Sequence, residues 1–316
     1  MIIPAEFSLI ARHFRPLAAA GALDLKDDAA LLTPPAEREL VLTADAMVAG
    51  VHFLPDDPPD LVGRKLLRVN LSDLAAKGAV PLAYLMTVST PRDTPEAWFA
   101  GFAAGLAADQ ATYGVSLLGG DTTSTPGPVS LSLTLIGHVA PDTAIRRSGA
   151  RDDDGIFVTG TIGDGALGLA VARGRLSDPS GHLLDRYRLP QPRVGLTLAG
   201  IASAGMDVSD GLVQDLGHIC QASDLAAEIT ADLVPLSDAA RAAGPAWLET
   251  CLTGGDDYEL LLAVPPNREA ALYHAASTAG IPVTRIGRFH SGPAEVIIRT
   301  ANGEPLALNR GGWSHF

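Results

Sequence analysis

Residues 115–139 read VSLLGGDTTSTPGPVSLSLTLIGHV. Within them Val129, Leu131, Leu133 and Leu135 alternate with Ser130, Ser132 and Thr134. Side chains alternate across a strand, so this period of two predicts a half-buried strand over 129–139 in an antiparallel sheet. A shorter apolar run, 115–118, ends in Gly119-Gly120-Asp121-Thr122-Thr123. Working outward from this stretch, short β-like runs alternate with longer helical ones, which is the pattern of a mixed α/β protein. Helices are predicted over 5–20, 60–78, 95–113, 165–173, 192–204, 211–222 and 268–279. Strands are predicted over 39–43, 81–89, 115–118, 129–139, 156–159, 258–264 and 283–289. Asn302-Gly303, between 296–299 and 305–308, predicts a late hairpin. The polar segment 146–155 (RRSGARDDDG) follows one strand and precedes another. It divides the chain into an N-terminal domain, 1–145, and a C-terminal domain, 146–316.

The 316 residues carry 36 acidic side chains against 23 Lys and Arg, a net charge of −13. That balance argues against direct binding to nucleic acid or anionic lipid, both of which need basic surface. It leaves open phosphate ligands recruited through metals. With 47% hydrophobic and 19% charged residues, the chain is expected to pack a core and not to be disordered. The longest small-and-apolar run, 97–108, is too short to span a bilayer. Glu6 and Arg12 interrupt the N-terminus where a secretory signal needs an unbroken apolar stretch. A soluble, cytoplasmic protein is therefore expected. Cys220 and Cys251 lack metal or redox spacing and read as buried reduced thiols.

Acidic residues recur at the ends of apolar runs. Asp27 and Asp28 open KDDAALL, Asp45 closes LVLTAD, Asp73 lies in RVNLSDLAAKGA, Asp121 closes VSLLGGD, and Asp207 and Asp210 lie in MDVSDG. Any one of them fits a turn or helix cap. As a set, drawn from the carboxyl ends of different strands, they suit a crevice where α/β folds bind ligands. Converging carboxylates repel unless cations neutralise them. Oxygen-only ligands without a His or Cys cluster favour Mg²⁺ over zinc.

Gly119-Gly120 before Asp121 allows backbone N–H groups to approach an anion, or makes a plain glycine turn. Arg147 offers a bidentate donor for phosphate or is a solvated surface side chain. No Walker A sequence and no protein-kinase signature set occurs. Gly163-Asp164-Gly165-Ala166-Leu167-Gly168 matches the dinucleotide fingerprint in form, but Asp164 would face a pyrophosphate. A helix-start turn is the better reading there.

KDDAALL, LTADAMVAGVHFLP, GRKLLRVNLSDLAAKGAVPLAYL, LLGGDTTSTPGPVSLSLTLIG, RRSGARDDD, VTGTIGDGALGL, MDVSDGLVQDLGHI, LTGGDDYELL and the terminal GGWSHF occur in this order. Together they resemble the thiamine-monophosphate kinase family, within the aminoimidazole ribonucleotide synthetase-like (PurM-like) superfamily. The resemblance runs from Glu6 to Phe316. It implies a two-domain α/β fold with mixed sheets, whose N-terminal domain contributes to a dimeric β-barrel, and a homodimer. It also implies Mg²⁺-dependent transfer of the ATP γ-phosphate to thiamine monophosphate, with several Mg²⁺ ions and no general base. By motif, Asp28, Thr43, Asp45, Asp73, Asp121, Asp207 and Asp210 correspond to metal-binding positions. Gly120, Asp121, Arg147 and Ser209 correspond to ATP-binding positions, and His52, Asp256 and Trp313 to acceptor-binding ones. Lys26 stands where similar chains have Gly, Ala44 where they have a hydroxyl, and Asp256 where Glu is frequent. Related ligases and selenophosphate synthetases of the superfamily fit less well. The chain has no Cys before Cys220, and GVHFLP and the closing W-x-H-F speak against both.

Overall fold

The computed structural model describes residues 5–308 and 311–313. The chain divides into two compact units, Met1–Leu74 with Ala79–Asp142 and Ala75–Gly78 with Thr143–Phe316. No helix among the described residues is long and apolar enough to cross a membrane.

The first unit begins with α1 (Ala5–Leu9), which runs into a π turn (Ile10–Phe14) and a 3-10 turn (Arg15–Leu17). The single helix expected over 5–20 is thus broken. Pro16 supplies no N–H and crowds the preceding turn, and Ala18 is already extended. There follow β1 (Glu39–Val48), α2 (Pro59–Ala76), β2 (Val80–Thr90), α3 (Glu96–Tyr113), β3 (Ser116–Ser124) and β4 (Ser130–Val139). The strands form one sheet in the order β1-β4-β2-β3. β4 pairs antiparallel with β1 and β2, while β2 and β3 run parallel. Leu131, Leu133 and Leu135 are buried, and the hydroxyl residues between them are half-buried, as the alternation predicts.

Two strands run further than the sequence indicates. β1 continues through Asp45 to Val48, and β3 carries Gly119-Gly120-Asp121-Thr122-Thr123 inside it. Gly120 is required there. A Cβ on it would stand 1.7 Å from the Met86 carbonyl oxygen, at a φ of +150°. Helices α2 and α3 meet backbone to backbone, since a Cβ on Gly105 would lie 1.9 Å from the Asp60 oxygen. Their contact buries Asp109, which accepts from Arg68 Nε at 2.6 Å and from Arg64 Nε at 3.1 Å.

The second unit comprises β5 (Gly155–Thr159), α4 (Asp164–Ala172), α5 (His182–Arg188), β6 (Ala204–Asp207), α6 (Leu212–Ser223), β7 (Ala226–Thr230), α7 (Asp238–Ala243), α8 (Leu248–Thr253), β8 (Leu260–Val264), α9 (Glu269–Ala279), β9 (Val283–His290) and β10 (Val296–Arg299). Its six-stranded sheet runs β10-β7-β9-β5-β8-β6, with β10 and β7 parallel and the other pairs antiparallel. β5, β6 and β8 are buried along their whole length. Cys220 and Cys251 are free thiols in this core, and burial pushes them up to about 11 and about 12.

The helix expected over 192–204 does not form, because Gly195 and Gly200 take left-handed φ values of +92° and +71°. The late hairpin is reduced to a turn at Asn302-Gly303 with a single bridge, Arg299 to Pro305; proline has no N–H to extend the ladder. β10 instead lies parallel to β7. The segments α5, α7 and α8 are only six or seven residues long, below the window in which helical periodicity registers.

Candidate functional site

The acidic residues of the first unit fall into two groups. Thr43 and Asp45 are two apart on β1 and share its covered face, and α2 meets them with Asn70 and Asp73, three apart on the helix. The Thr43 hydroxyl donates to the Asp73 carboxylate. The Asp45 N–H donates to Asn70 Oδ1 at 3.2 Å, and the fully buried Asn70 returns its Nδ2 to the Leu66 carbonyl at 2.9 Å. Burial, reinforced by the negative charge of Asp73, pushes the Asp45 carboxyl up to about 7. A carboxyl held half-protonated by burial and a like charge is the environment that a divalent cation relieves, and every donor around it is oxygen. These residues fit Mg²⁺.

The second group lines a cleft between residues 25–30 and β3, with Asp27, Asp28, Gly120 and Asp121 in its wall and Ile10, Phe14 and Leu118 on its apolar side. The Asp28 N–H donates to Asp27 Oδ1 at 2.9 Å. Sheet register puts Asp45, Leu133, Met86 and Gly120 on one row. Asp45 and Gly120 are therefore three strand spacings apart, roughly 14 Å. The two groups occupy opposite edges of one sheet.

His52 sits in the turn after β1. Its Nδ1 accepts the Val48 N–H at 3.0 Å, so the neutral ring carries its proton on Nε2. The buried Lys65 donates to the His52 carbonyl at 3.1 Å and fixes the turn from α2.

In the second unit β6 ends in the buried Asp207, and the turn Val208–Gly211 leads into α6. The segment before β8 docks on that turn: Asp256 N–H donates to the Ser209 carbonyl at 2.9 Å, and Tyr258 N–H to the Val208 carbonyl at 2.8 Å. Asp256 and Tyr258 adopt left-handed φ values of 71° and 52° to do so. Trp313, 53% exposed, donates its N–H to the Asp210 carbonyl at 3.0 Å. Asp207, Ser209, Asp210, Asp256 and Trp313 thus gather around one turn. Arg147 stands elsewhere. It is exposed, and its carbonyl accepts from Ser223 at the far end of α6, about 18 Å of helix from Asp210.

Sequence reasoning missed Asn70 and two partners of Asp210. Ligand atoms of Asp210, Asp215 and His218 lie within 4.8 Å of one another, a second set able to hold a metal. Burial pushes the Asp215 carboxyl up to about 7, against the pull of backbone N–H groups. Asp215 and His218 are spaced i, i+3 inside DVSDGLVQDLGHI, so the signal was present in the motif.

The GDGALG turn also finds its partner. The fully buried Asp257 accepts the N–H groups of Gly163 at 2.7 Å and Gly165 at 3.0 Å, so the protein's own carboxylate caps α4 where a dinucleotide's pyrophosphate would sit. The dinucleotide reading is thereby removed. Next to it, buried Glu259 accepts from Thr159 at 2.7 Å, Arg186 at 2.9 Å and Arg193 Nε at 2.6 Å.

Residues 26–139 match the N-terminal domain of AIR synthase related proteins, and residues 151–299 match the C-terminal domain. The thiamine-monophosphate kinase of Caulobacter vibrioides is 44% identical over 99% of this chain and 91% of its own length. This chain belongs to the thiamine-monophosphate kinase family. Among solved structures, the thiamine-monophosphate kinase from Stenotrophomonas maltophilia superposes with a TM-score of 0.84 at 40% identity, covering 96% of this chain and 98% of that one. AaThiL complexed with AMPPCP and TMP superposes with a TM-score of 0.78 at 30% identity and the same coverage. The motifs GVHFLP, NLSDLAAKGA and GGDDYEL lie at the His52 turn, along α2 and beside the Asp210 turn.

Proposed function

We propose that this chain transfers the γ-phosphate of ATP to thiamine monophosphate, yielding thiamine diphosphate and ADP, in a Mg²⁺-dependent direct in-line step, as a cytoplasmic homodimer. The observation that carries this reading is the Asp45–Asp73 pair, a half-buried, oxygen-only carboxylate site, in a chain 44% identical to a thiamine-monophosphate kinase. Residues 1–145 are assigned to ATP and metal binding in the N-terminal domain, and 146–316 to the C-terminal domain.

The acceptor is a phosphate monoester with a second pKa near 6, largely dianionic at neutral pH. It needs no base to become a nucleophile, so none of the chain's residues is assigned to proton abstraction. The obstacle is repulsion, about 4 kcal/mol for two unit charges 4 Å apart at an effective dielectric near 20. Bound Mg²⁺ supplies the positive charge that offsets it and the charge developing in the transition state. Asp28, Thr43, Asp45, Asp73 and Asp121 are the first unit's ligands in this reading, and Asp207 and Asp210 the second unit's. Gly120, Asp121, Arg147 and Ser209 contact ATP. His52 donates from Nε2 to the acceptor phosphate, Asp256 orients the acceptor, and Trp313 stacks on its rings.

Incubating the purified chain with ATP, Mg²⁺ and thiamine monophosphate tests the reading by formation of thiamine diphosphate. A chirally labelled γ-thiophosphate should arrive inverted at phosphorus, and retention would replace direct transfer with a phosphoenzyme. Light scattering should report a dimer.

A further inference from the structure

Two neighbouring side chains on the first turn of α6 grip two different parts of the site. Asp215 is 1% exposed, and its Oδ2 accepts the N–H of Asp210 at 3.0 Å and that of Gly211 at 3.1 Å. Gln214 donates from Nε2 to the Trp313 carbonyl at 2.7 Å. The circuit is closed by the Trp313 backbone N–H, which donates to the Asp210 backbone carbonyl. Asp210 is therefore fixed on both sides, its N–H by α6 and its carbonyl by the C-terminal segment. That segment passes flat over the helix turn, since a Cβ on Gly312 would come within 2.5 Å of Gln214 Cβ. Capping α6 accounts for the bond to Gly211 alone; the bond to Asp210 reaches outside the helix.

We infer that the first turn of α6 is a positioning element: Asp215 sets the Asp210 carboxylate, Gln214 sets Trp313, and the Trp313–Asp210 hydrogen bond couples acceptor binding to metal binding. The inference rests on the reading of Asp210 as a metal ligand and Trp313 as an acceptor contact. Asp215 and Gln214 act through those residues. Groups that orient a metal ligand change metal affinity by about 10- to 100-fold when removed. The coupling is reciprocal, so an acceptor that orders Trp313 tightens the metal site.

The test uses the full chain with two readouts that need no turnover: calorimetric titration of Mg²⁺ into nucleotide-free protein, and quenching of tryptophan fluorescence by thiamine monophosphate. Asp215→Ala should weaken Mg²⁺ about tenfold. Asp215→Asn keeps an oxygen to accept both N–H groups and should recover to within about threefold of the unaltered chain. Gln214→Ala should weaken thiamine monophosphate about fivefold while leaving ATP binding, titrated in the same calorimeter, unchanged. Gln214→Glu, which has no proton to donate, should behave like Gln214→Ala. Saturating thiamine monophosphate should tighten Mg²⁺ in the unaltered chain and not in Gln214→Ala.

Unchanged Mg²⁺ affinity in folded Asp215→Ala overturns the role of Asp215. Equal weakening of ATP and acceptor in Gln214→Ala, or weakening of neither, overturns that of Gln214. Absence of coupling in the unaltered chain overturns the link. If Asp215→Ala does not fold, the half-buried Gln214 variants and the coupling measurement decide. An unaltered chain that makes no thiamine diphosphate overturns the functional reading instead, whereas one that makes it while Asp215→Ala keeps its Mg²⁺ overturns only this inference.

Discussion

In the first unit Asp45 and Asp73 approach each other across β1 and α2, and the charge of one raises the pKa of the other. In the second unit Asp215 and Asp257 are at least as buried, yet each takes two backbone N–H groups, from residues 210 and 211 and from residues 163 and 165. The first arrangement sets two like charges near each other. The second uses its carboxylates to hold turns. Negative charge is therefore used in two ways in one protein, as a place for cations and as a hydrogen-bond scaffold, and the partners of each carboxylate tell the two apart.

Breaking the scaffold should cost most. Glu259→Ala leaves the buried Arg186 and the half-buried Arg193 without their carboxylate and should lower the unfolding free energy by about 3–5 kcal/mol in urea titrations. Mg²⁺ affinity of the folded fraction should be unchanged; a weaker Mg²⁺ site would blur the distinction between the two uses. Asp45→Asn does the reverse. Turnover should fall roughly 100-fold or more from the lost metal ligand. At the same time the metal-free protein should melt higher than the unaltered chain, because a repulsive half-buried pair is gone. Unaltered kinetics would remove Asp45 from the metal site.

Trp313→Ala should raise the KM for thiamine monophosphate about tenfold and that for ATP little, since the proposed stacking involves one substrate. An equal rise in both would return Trp313 to an anchoring role. The smallest effect is on pH dependence. The Asp45 carboxyl is raised to about 7 in the folded, metal-free protein, against about 3.9 unfolded. The folded state then holds the extra proton, so this group's effect is a loss of stability as pH rises from about 4 to 7. Asp215 has the same sign. Melting temperature of the metal-free chain should fall across that window, Asp45→Asn should flatten the slope in part, and saturating Mg²⁺ should flatten it further. A slope unmoved by Asp45→Asn would mean that the first unit's pair is not strained.

Much of this was legible in the chain itself. The Val-Ser-Leu alternation specified β4, because a sheet with one covered face imposes period two on its sequence. The long helices α2, α3, α6 and α9 lie within a residue or two of where periodicity sets them, and the acids at run ends are the ones now found on strands and turns. The extents of β1 and β3 were not legible. Glycines that look like a turn in GGDTT are in a strand because the β2 backbone passes too close for any side chain, and closeness of another strand leaves no local mark. The loop over 192–204 likewise depends on two left-handed glycines that periodicity does not register.

What the sequence determined by itself was the class of fold, the kinase family and the residue types of the site, all of which depend on local pattern and motif order. Tertiary structure alone decided which carboxylates face one another and which take backbone N–H groups. Asp257 caps a helix whose N–H groups lie 92 and 94 residues away, and Asp45 meets Asn70 across 25 residues. The state of a carboxyl is set by burial and by such neighbours, and neither follows from residues adjacent in the chain.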